Sequence, residues 1–365
     1  MSAVALNRAV LNSAATTGPR VLFQSRNRRG LGHLMRGLNL AAEVLDLAPA
    51  AQVTMHTRNE SAPAFCPAGI DCIVEDAAMA TTGWAEVLAR VAPDIVVYDT
   101  MLPTQADLLP TAARVCYVMR RCRPERQAEV FASSFLRDRV DAVVVPHTAV
   151  EFGYPLPAEL RQRARFAGLI ARRPDPVVQA RLRATYGLAD AAFVLVSTGG
   201  AGGFAHSAQP FFDAVAAVQR AVAGQVGLRH VVVLGPHFRG VVPDLSGAVV
   251  VESEPALVDL FAIADLVVAE GGYNSVSELR LVKTPAVFLP GERALDDQEE
   301  RVLTLARLGL AVVLSGAAPA VVAREVAALV QAPERMAQMR LRYRDDTVDV
   351  GNRRAAAHLL GLVAS

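Results

Sequence analysis

The chain has almost no net charge: across 365 residues, 37 lysines and arginines stand against 36 aspartates and glutamates, for +1 with histidine neutral. Such a balance creates no field to hold a polyanion, so nucleic acid is not an expected partner. No apolar run reaches the length that crosses a bilayer, and membrane contact is expected to be peripheral at most. The first residues interrupt their apolar stretch with Asn7, Arg8 and Asn12. That pattern does not make the core of a signal peptide, and the expected location is cytoplasmic. Only four cysteines occur, Cys66, Cys72, Cys116 and Cys122, with no C-x-x-C pair to hold a metal. Reduced thiols, some of them buried, are expected. There is no short-period repeat and no low-complexity tract.

What the chain does contain is alternation. Short apolar runs at 20–24, 52–56, 94–98, 114–118 and 141–145 read as strands. A helical stripe of Leu34, Leu38, Ala41 and Leu45 lies between the first two. A second series follows at 193–197, 230–234, 248–251, 265–269, 285–289 and 311–314. Strands alternating with helices predict α/β architecture with parallel, doubly wound sheets, and the length suits two domains. The prolines at 174 and 176 suit a linker. The expected limits are a loose extension at 1–18, a first domain at 19–172, a second at 173–345 and a closing segment at 346–365, helical by pattern.

Residues 267–278 (VVAEGGYNSVSE) are the most informative stretch. A β-branched run stops at Gly271 and Gly272, and Asn274 and Ser275 open a helix that carries Glu278. The glycines admit a ligand close to the backbone, and the new helix points unpaired N–H groups at it. Such an end suits phosphate, with Glu278 placed to accept from neutral hydroxyls such as those of a ribose. The alternative is an ordinary strand-to-helix turn with a solvated glutamate. Residues 25–33 (SRNRRGLGH) form a second strand-to-helix turn on a sheet's ligand edge. Gly30 and Gly32 allow close approach, and His33 is the one imidazole there, a candidate general base or a residue that merely packs the turn. A dinucleotide G-x-G-x-x-G would need glycine at Met35, and no Gly-Lys-Ser/Thr of a P-loop occurs. Asp99 ends a buried run, as an orienting acid or as a cap on a helix after Pro103. Four glycines crowd residues 197–205 (STGGAGGFA). Arg120, Arg121, Arg123 and Arg126 make a basic cluster, read as a solvated face or as a surface for an anionic acceptor, a carrier or a membrane.

From about residue 191 to 314 the chain resembles the donor-binding domain of the GT-B glycosyltransferases, and is most similar to the bacterial peptidoglycan N-acetylglucosaminyltransferase family. The resemblance rests on the Gly271-Gly272 turn, on Glu278, and on Asp297-Gln298 ahead of the helical run 299–309. It implies two Rossmann-like domains facing across a cleft, with the closing helix crossing back to the first. It implies that Glu278 holds the nucleotide and that Asp297 and Gln298 hold the donor sugar. It implies that the loop of Thr198, Gly199 and Gly200, with His206, lies near the diphosphate, and that Ser253 and Leu257 bracket the base. His33 is then the catalytic base and Asp99 the residue that steadies it. The implied activity is transfer of a sugar, N-acetylglucosamine in the most similar members, from a nucleotide-diphosphate sugar to a hydroxyl or amine of a small or carrier-linked acceptor. No D-x-D metal motif stands near these residues, so a metal-independent, inverting reaction is expected. No resident cofactor is expected, and the donor is a co-substrate with UDP favoured over TDP. Two rival readings are a catalytically silent sugar-nucleotide binder and a nucleotide-sugar hydrolase. The turn 32–41 (GHLMRGLNLA) is similar to that of the hydrolases on the pseudaminic acid route.

Overall fold

The computed structural model describes residues 18–28, 30–75, 83–199, 205–291 and 297–363. Thirteen strands form two wholly parallel sheets among these residues. The first contains β1 (Arg20–Ser25), β2 (Gln52–Thr57), β3 (Ile70–Val74), β4 (Ile95–Asp99), β5 (Arg114–Val118), β6 (Ala142–Val145) and β7 (Ala164–Phe166), in the order β3-β2-β1-β4-β5-β6-β7. The second contains β8 (Phe193–Thr198), β9 (Leu228–Val233), β10 (Val249–Val251), β11 (Leu266–Ala269), β12 (Ala286–Phe288) and β13 (Ala311–Val313), in the order β10-β9-β8-β11-β12-β13. Both orders reverse direction beside their first strand, the doubly wound pattern whose ligand crevice opens at that reversal.

Chemistry explains why these segments are central strands. Val-rich runs such as 142–145 (AVVV) are buried on both faces, as parallel strands covered by helices require. Each sheet accordingly separates two apolar layers. All eleven strands read from the sequence are present, with ends moved by a residue or two. β3 and β7 were not anticipated: β3 is an edge strand interrupted by Asp71, and β7 has three residues. The expected extension falls almost wholly outside the described residues. No helix among the described residues is long and apolar enough to cross a membrane.

The chain passes between the sheets twice, and the two passages are laced together. The amide of Leu169 donates to Asp349 O at 2.8 Å, and that of Gly351 donates to Leu169 O at 2.8 Å. The Asn352 side chain closes the lacing, accepting from Ala171 N at 3.1 Å and donating to Ala171 O at 3.0 Å. Backbones this close leave no room for side chains: a Cβ at Gly351 would lie 1.6 Å from Ala167 O. The helix Asn352–Leu360 then packs beside the helix Gly32–Leu47, with Ala355, Ala356 and Leu359 sealed in the first domain's core. Leu359 is fully buried, so Leu359→Ala is expected to cost about 2–5 kcal/mol. Urea unfolding checks this, and a loss within error of zero would show that the helix only rests on the surface.

Candidate functional site

The reversal points of the two sheets face each other. In the first, β1 pairs with β4, and the loop after β1 leads into the helix Gly32–Leu47 while β4 ends at Asp99. Asp99 is buried, and four nitrogen and oxygen atoms of three side chains converge on its carboxylate. His33 Nδ1 lies 2.7 Å from Oδ1, and Arg36 Nε donates to Oδ2 at 2.8 Å. Arg36 Nη2 donates to Oδ1 as well, and Thr100 Oγ1 donates to the same oxygen at 2.9 Å. Burial pushes this carboxyl up, but Arg36 and then His33 outweigh it and hold it well below the usual carboxylate range. An ionised Asp99 accepts the Nδ1 proton and leaves His33 Nε2 with its lone pair, which no described residue engages. Thr100 stands at φ 59, a strained region for a β-branched residue. It is held there by its amide on Val118 O at 2.9 Å and by Tyr117 Oη donating to its carbonyl at 2.5 Å. The strain places its hydroxyl on Asp99.

In the second sheet β11 pairs with β8 at the corresponding reversal. After β11 the chain turns at Gly271, φ +89, where a Cβ would meet Val302 Cγ1 at 2.5 Å. Gly272 then caps the helix Tyr273–Val282, with open space where its side chain would be and no side-chain cap on the helix end. The first backbone bond into that turn comes from Val276 to Gly272 O at 3.0 Å. The amides of Asn274 and Ser275, both half-buried, are therefore outside the helical ladder, the arrangement that binds anions. Glu278 lies one turn on and is buried with no hydrogen-bond partner among the described residues. Burial pushes its carboxyl up to about 8, Arg172 lowers it and Asp259 raises it. The solvated glutamate of the alternative reading is thus ruled out.

Asp297 and Gln298 are buried at the start of the helix Gln298–Arg307. Gln298 lies against Gly271, and its Oε1 has no partner among the described residues. The Asp297 carboxylate bonds Arg301 and lies 3.5 Å from Nε of Arg121, which belongs to the first domain. Thr198 is buried at the tip of β8, and Gly199 is pressed on Phe211, where a Cβ would lie 2.5 Å from the ring. Gly200 and the side chain of His206 lie outside the described residues. Ser253 is half-buried, and Leu257 begins the helix Leu257–Ile263. Gly30 closes a turn on Asn27 Oδ1 at 3.4 Å, and the Gly32 carbonyl accepts from Asn274 Nδ2 at 3.1 Å. This last bond joins the helix end of the second domain to the residue before His33.

Two expectations are corrected. Asp99 caps no helix: its carboxylate is taken up by His33 and Arg36, and the next helical turn is Ala106–Leu108. Arg121 is not on a solvated face but meets Asp297 across the cleft. Other contributors were not singled out at all. Arg36 sits within an apolar helix face, and only its three-residue spacing from His33 hinted at a shared target. His147 follows β6, and its Nε2 accepts from Arg121 N at 3.0 Å. Burial and then the arginines 301, 120, 36 and 121 keep it neutral, well below the ordinary imidazole range. Tyr273 Oη donates to Pro146 O across the cleft. A cavity of about 370 Å³ opens between the domains there, lined by Arg121 and His147 on one side and by Tyr273, Arg280, Asp297 and Arg301 on the other.

No family model matches the chain. It is similar to the UDP-N-acetylglucosamine–N-acetylmuramyl-(pentapeptide) pyrophosphoryl-undecaprenol N-acetylglucosamine transferase of Mycobacterium bovis (strain BCG / Pasteur 1173P2), with 30% identity over 230 residues, 60% of this chain and 54% of that protein. The namesake from Mycobacterium avium (strain 104) is 34% identical over 174 residues, 44% and 40% of the two chains. The chain thus spans about half the length of the curated relatives it matches. Among solved structures, the spinosyn forosaminyltransferase SpnP aligns with a TM-score of 0.62 at 16% identity, covering 95% of this chain and 100% of that one. Phytolacca americana UGT2, complexed with UDP-2-fluoro-glucose and pterostilbene, gives 0.63 at 11%, covering 94% and 99%. The Staphylococcus aureus MnaA complex with UDP gives 0.62 at 12%, covering 94% and 98%. These alignments show the fold: two Rossmann-like domains in the GT-B arrangement. The resemblance read from the Gly-Gly turn and from Asp297-Gln298 is borne out by the relatives' names.

The buried Glu278 gives a pH test with a definite sign. Its folded pKa of about 8 lies above an ordinary glutamate's value of about 4.3. Between the two the folded protein holds a proton that the unfolded chain has released. Stability therefore falls as pH rises through that window, by at most about 1.4 kcal/mol per pH unit. Glu278→Gln removes the effect and is expected to be more stable than the parent at pH 8, with the difference closing toward pH 4.5. Parallel stability curves from urea titrations would refute the raised pKa.

Proposed function

We propose that the protein is a glycosyltransferase that moves a sugar from a nucleotide-diphosphate sugar to a hydroxyl or amine. The observation that carries this reading is the Asn274–Gly32 hydrogen bond. It sets an uncapped helix end, suited to a diphosphate, beside the loop that presents His33. Glu278 supplies the buried acceptor for ribose hydroxyls, and Gln298 supplies an unengaged amide oxygen for the sugar next to Gly271.

The chain's own groups define the steps. The acceptor's O–H or N–H gives its proton to His33 Nε2, and Asp99 stabilises the imidazolium through Nδ1. The acceptor atom forms its bond to the anomeric carbon as the bond to the diphosphate oxygen breaks. The leaving charge goes to the amides and dipole of the helix Tyr273–Val282, so that no metal is needed for it. One direct displacement inverts the anomeric centre. UDP-N-acetylglucosamine is the proposed donor, as in the relatives' names, with UDP favoured over TDP because a ribose offers Glu278 a second hydroxyl. The acceptor is a small or carrier-linked molecule. The proposed location is cytoplasmic, with peripheral membrane contact at most and no role for nucleic acid. Water in the acceptor's place would make the same site a hydrolase, and no observation favours that.

A thermal-shift panel of UDP, UDP-N-acetylglucosamine and TDP-glucose tests the donor, since a ligand of the folded state raises the melting temperature. UDP compounds are expected to stabilise more than TDP-glucose, and no shift with any of them would defeat the reading. His33→Ala is expected to slow UDP release from UDP-N-acetylglucosamine by roughly 100- to 10,000-fold while UDP still binds. A near-normal rate would remove His33 from the chemistry. Gln298→Ala is expected to lower turnover yet leave calorimetric UDP affinity nearly unchanged. Equal losses in both would assign Gln298 to the nucleotide or to the fold.

A further inference from the structure

Tyr273 is the first residue of the helix at the diphosphate end, and its ring is buried at the junction of the domains. Arg36 lies over that ring with its guanidinium carbon 5.1 Å from the centroid, and Arg301 lies 5.8 Å from it. His147 meets it edge-on at 5.2 Å, and the hydroxyl is tied to Pro146 O in the first domain. The two arginines are the partners of two carboxylates with different tasks. Arg36 holds Asp99, which holds His33. Arg301 holds Asp297 and donates to Gly271 O at 3.2 Å.

We propose that Tyr273 is a positioning residue that couples the base to the donor sugar pair, by packing one ring against Arg36 and Arg301 at once. The inference rests on the reading of His33 as the base. Two cations near one ring would repel each other, and each is offset by its own carboxylate, so the stack forms only when both ion pairs are intact. The ring comes from the second domain, whereas Arg36, Asp99 and His33 belong to the first. When the domains separate, Arg36 loses its cover, and water competes for the guanidinium that fixes Asp99. The base is then assembled only in the closed molecule, when the donor helix is in place beside it. The hydroxyl anchors the ring to Pro146, but it is the ring that covers Arg36.

The full chain, labelled with ¹⁵N-arginine, gives a direct readout: solvent exchange of the Arg36 Nε–H that bonds Asp99. Tyr273→Leu is expected to speed that exchange by about tenfold or more, as a buried bond becomes open to water, whereas Tyr273→Phe keeps the protection. UDP release from UDP-N-acetylglucosamine, with water as acceptor in a single turnover, is expected to slow by about tenfold or more in Tyr273→Leu, within the range a base supplies. UDP affinity by calorimetry should stay within about threefold, so that the loss lies in kcat. In a His33→Ala background the Leu substitution should slow release no further. Unchanged exchange in Tyr273→Leu overturns the coupling whatever the turnover. So does a rate loss of equal size with and without His33. A His33→Ala enzyme as fast as the parent would instead show that the base assignment itself had failed.

Discussion

A carboxylate sealed at the end of a central strand has lost its water, and the charge must be met by donors fixed in place. At Asp99 the whole opening of the first domain is arranged to meet it. The helix Gly32–Leu47 gives up part of an apolar face to Arg36. Thr100 takes a backbone conformation that disfavours threonine, at a cost of order 1–3 kcal/mol. His33 is fixed in one tautomer as a by-product, because an ionised Asp99 can only accept and the facing Nδ1 must therefore carry the proton. The geometry that makes His33 useful is thus a consequence of neutralising Asp99. Removing either partner would strand the other charge in the interior, which is far costlier than the pair is worth.

The second domain treats its buried acid in the opposite way. Glu278 is given no donor among the described residues, and its proton is held on by burial. One acid is locked as a charge on His33 and Arg36, and the other is left unsatisfied one turn into the helix Tyr273–Val282. Unsatisfied groups destabilise a fold and draw in ligands that complete them. Gln298 Oε1 and the amides of Asn274 and Ser275 belong to the same class of open valences, all collected around Gly271. On the proposed function, the contrast separates a prepared catalytic side from a receptive binding side.

Much of this was legible because it is local. Short Val-rich runs announced the central strands, and the Gly-Gly stop announced the helix end at Tyr273. Short or polar edge strands escaped because β7 has too few residues to show a period and β3 breaks its own with Asp71. Arg36 escaped because an arginine on a helix reads as solvated unless its partner is known, and Asp99 lies 63 positions away. The same limit hid Tyr273: its place in the motif was visible, but its contact with Arg36 joins segments from different domains. Glu278 was legible in the turn-and-helix pattern, while its burial, which decides between a solvated residue and a waiting acceptor, depends on the packing of the folded domain.

The lacing of residues 169 and 350 has a consequence for how the protein is made. The core around the helix Gly32–Leu47 needs Ala355, Ala356 and Leu359, which are synthesised after every strand of the second sheet. The first domain therefore begins to emerge early but stays open on one side while the entire second domain is synthesised. A sheet such as β8 to β13 needs nothing from outside and can close as soon as it appears. The order of completion is then the reverse of the order of synthesis. The half that carries His33 gains its final wall only after the half that carries Glu278 is already standing.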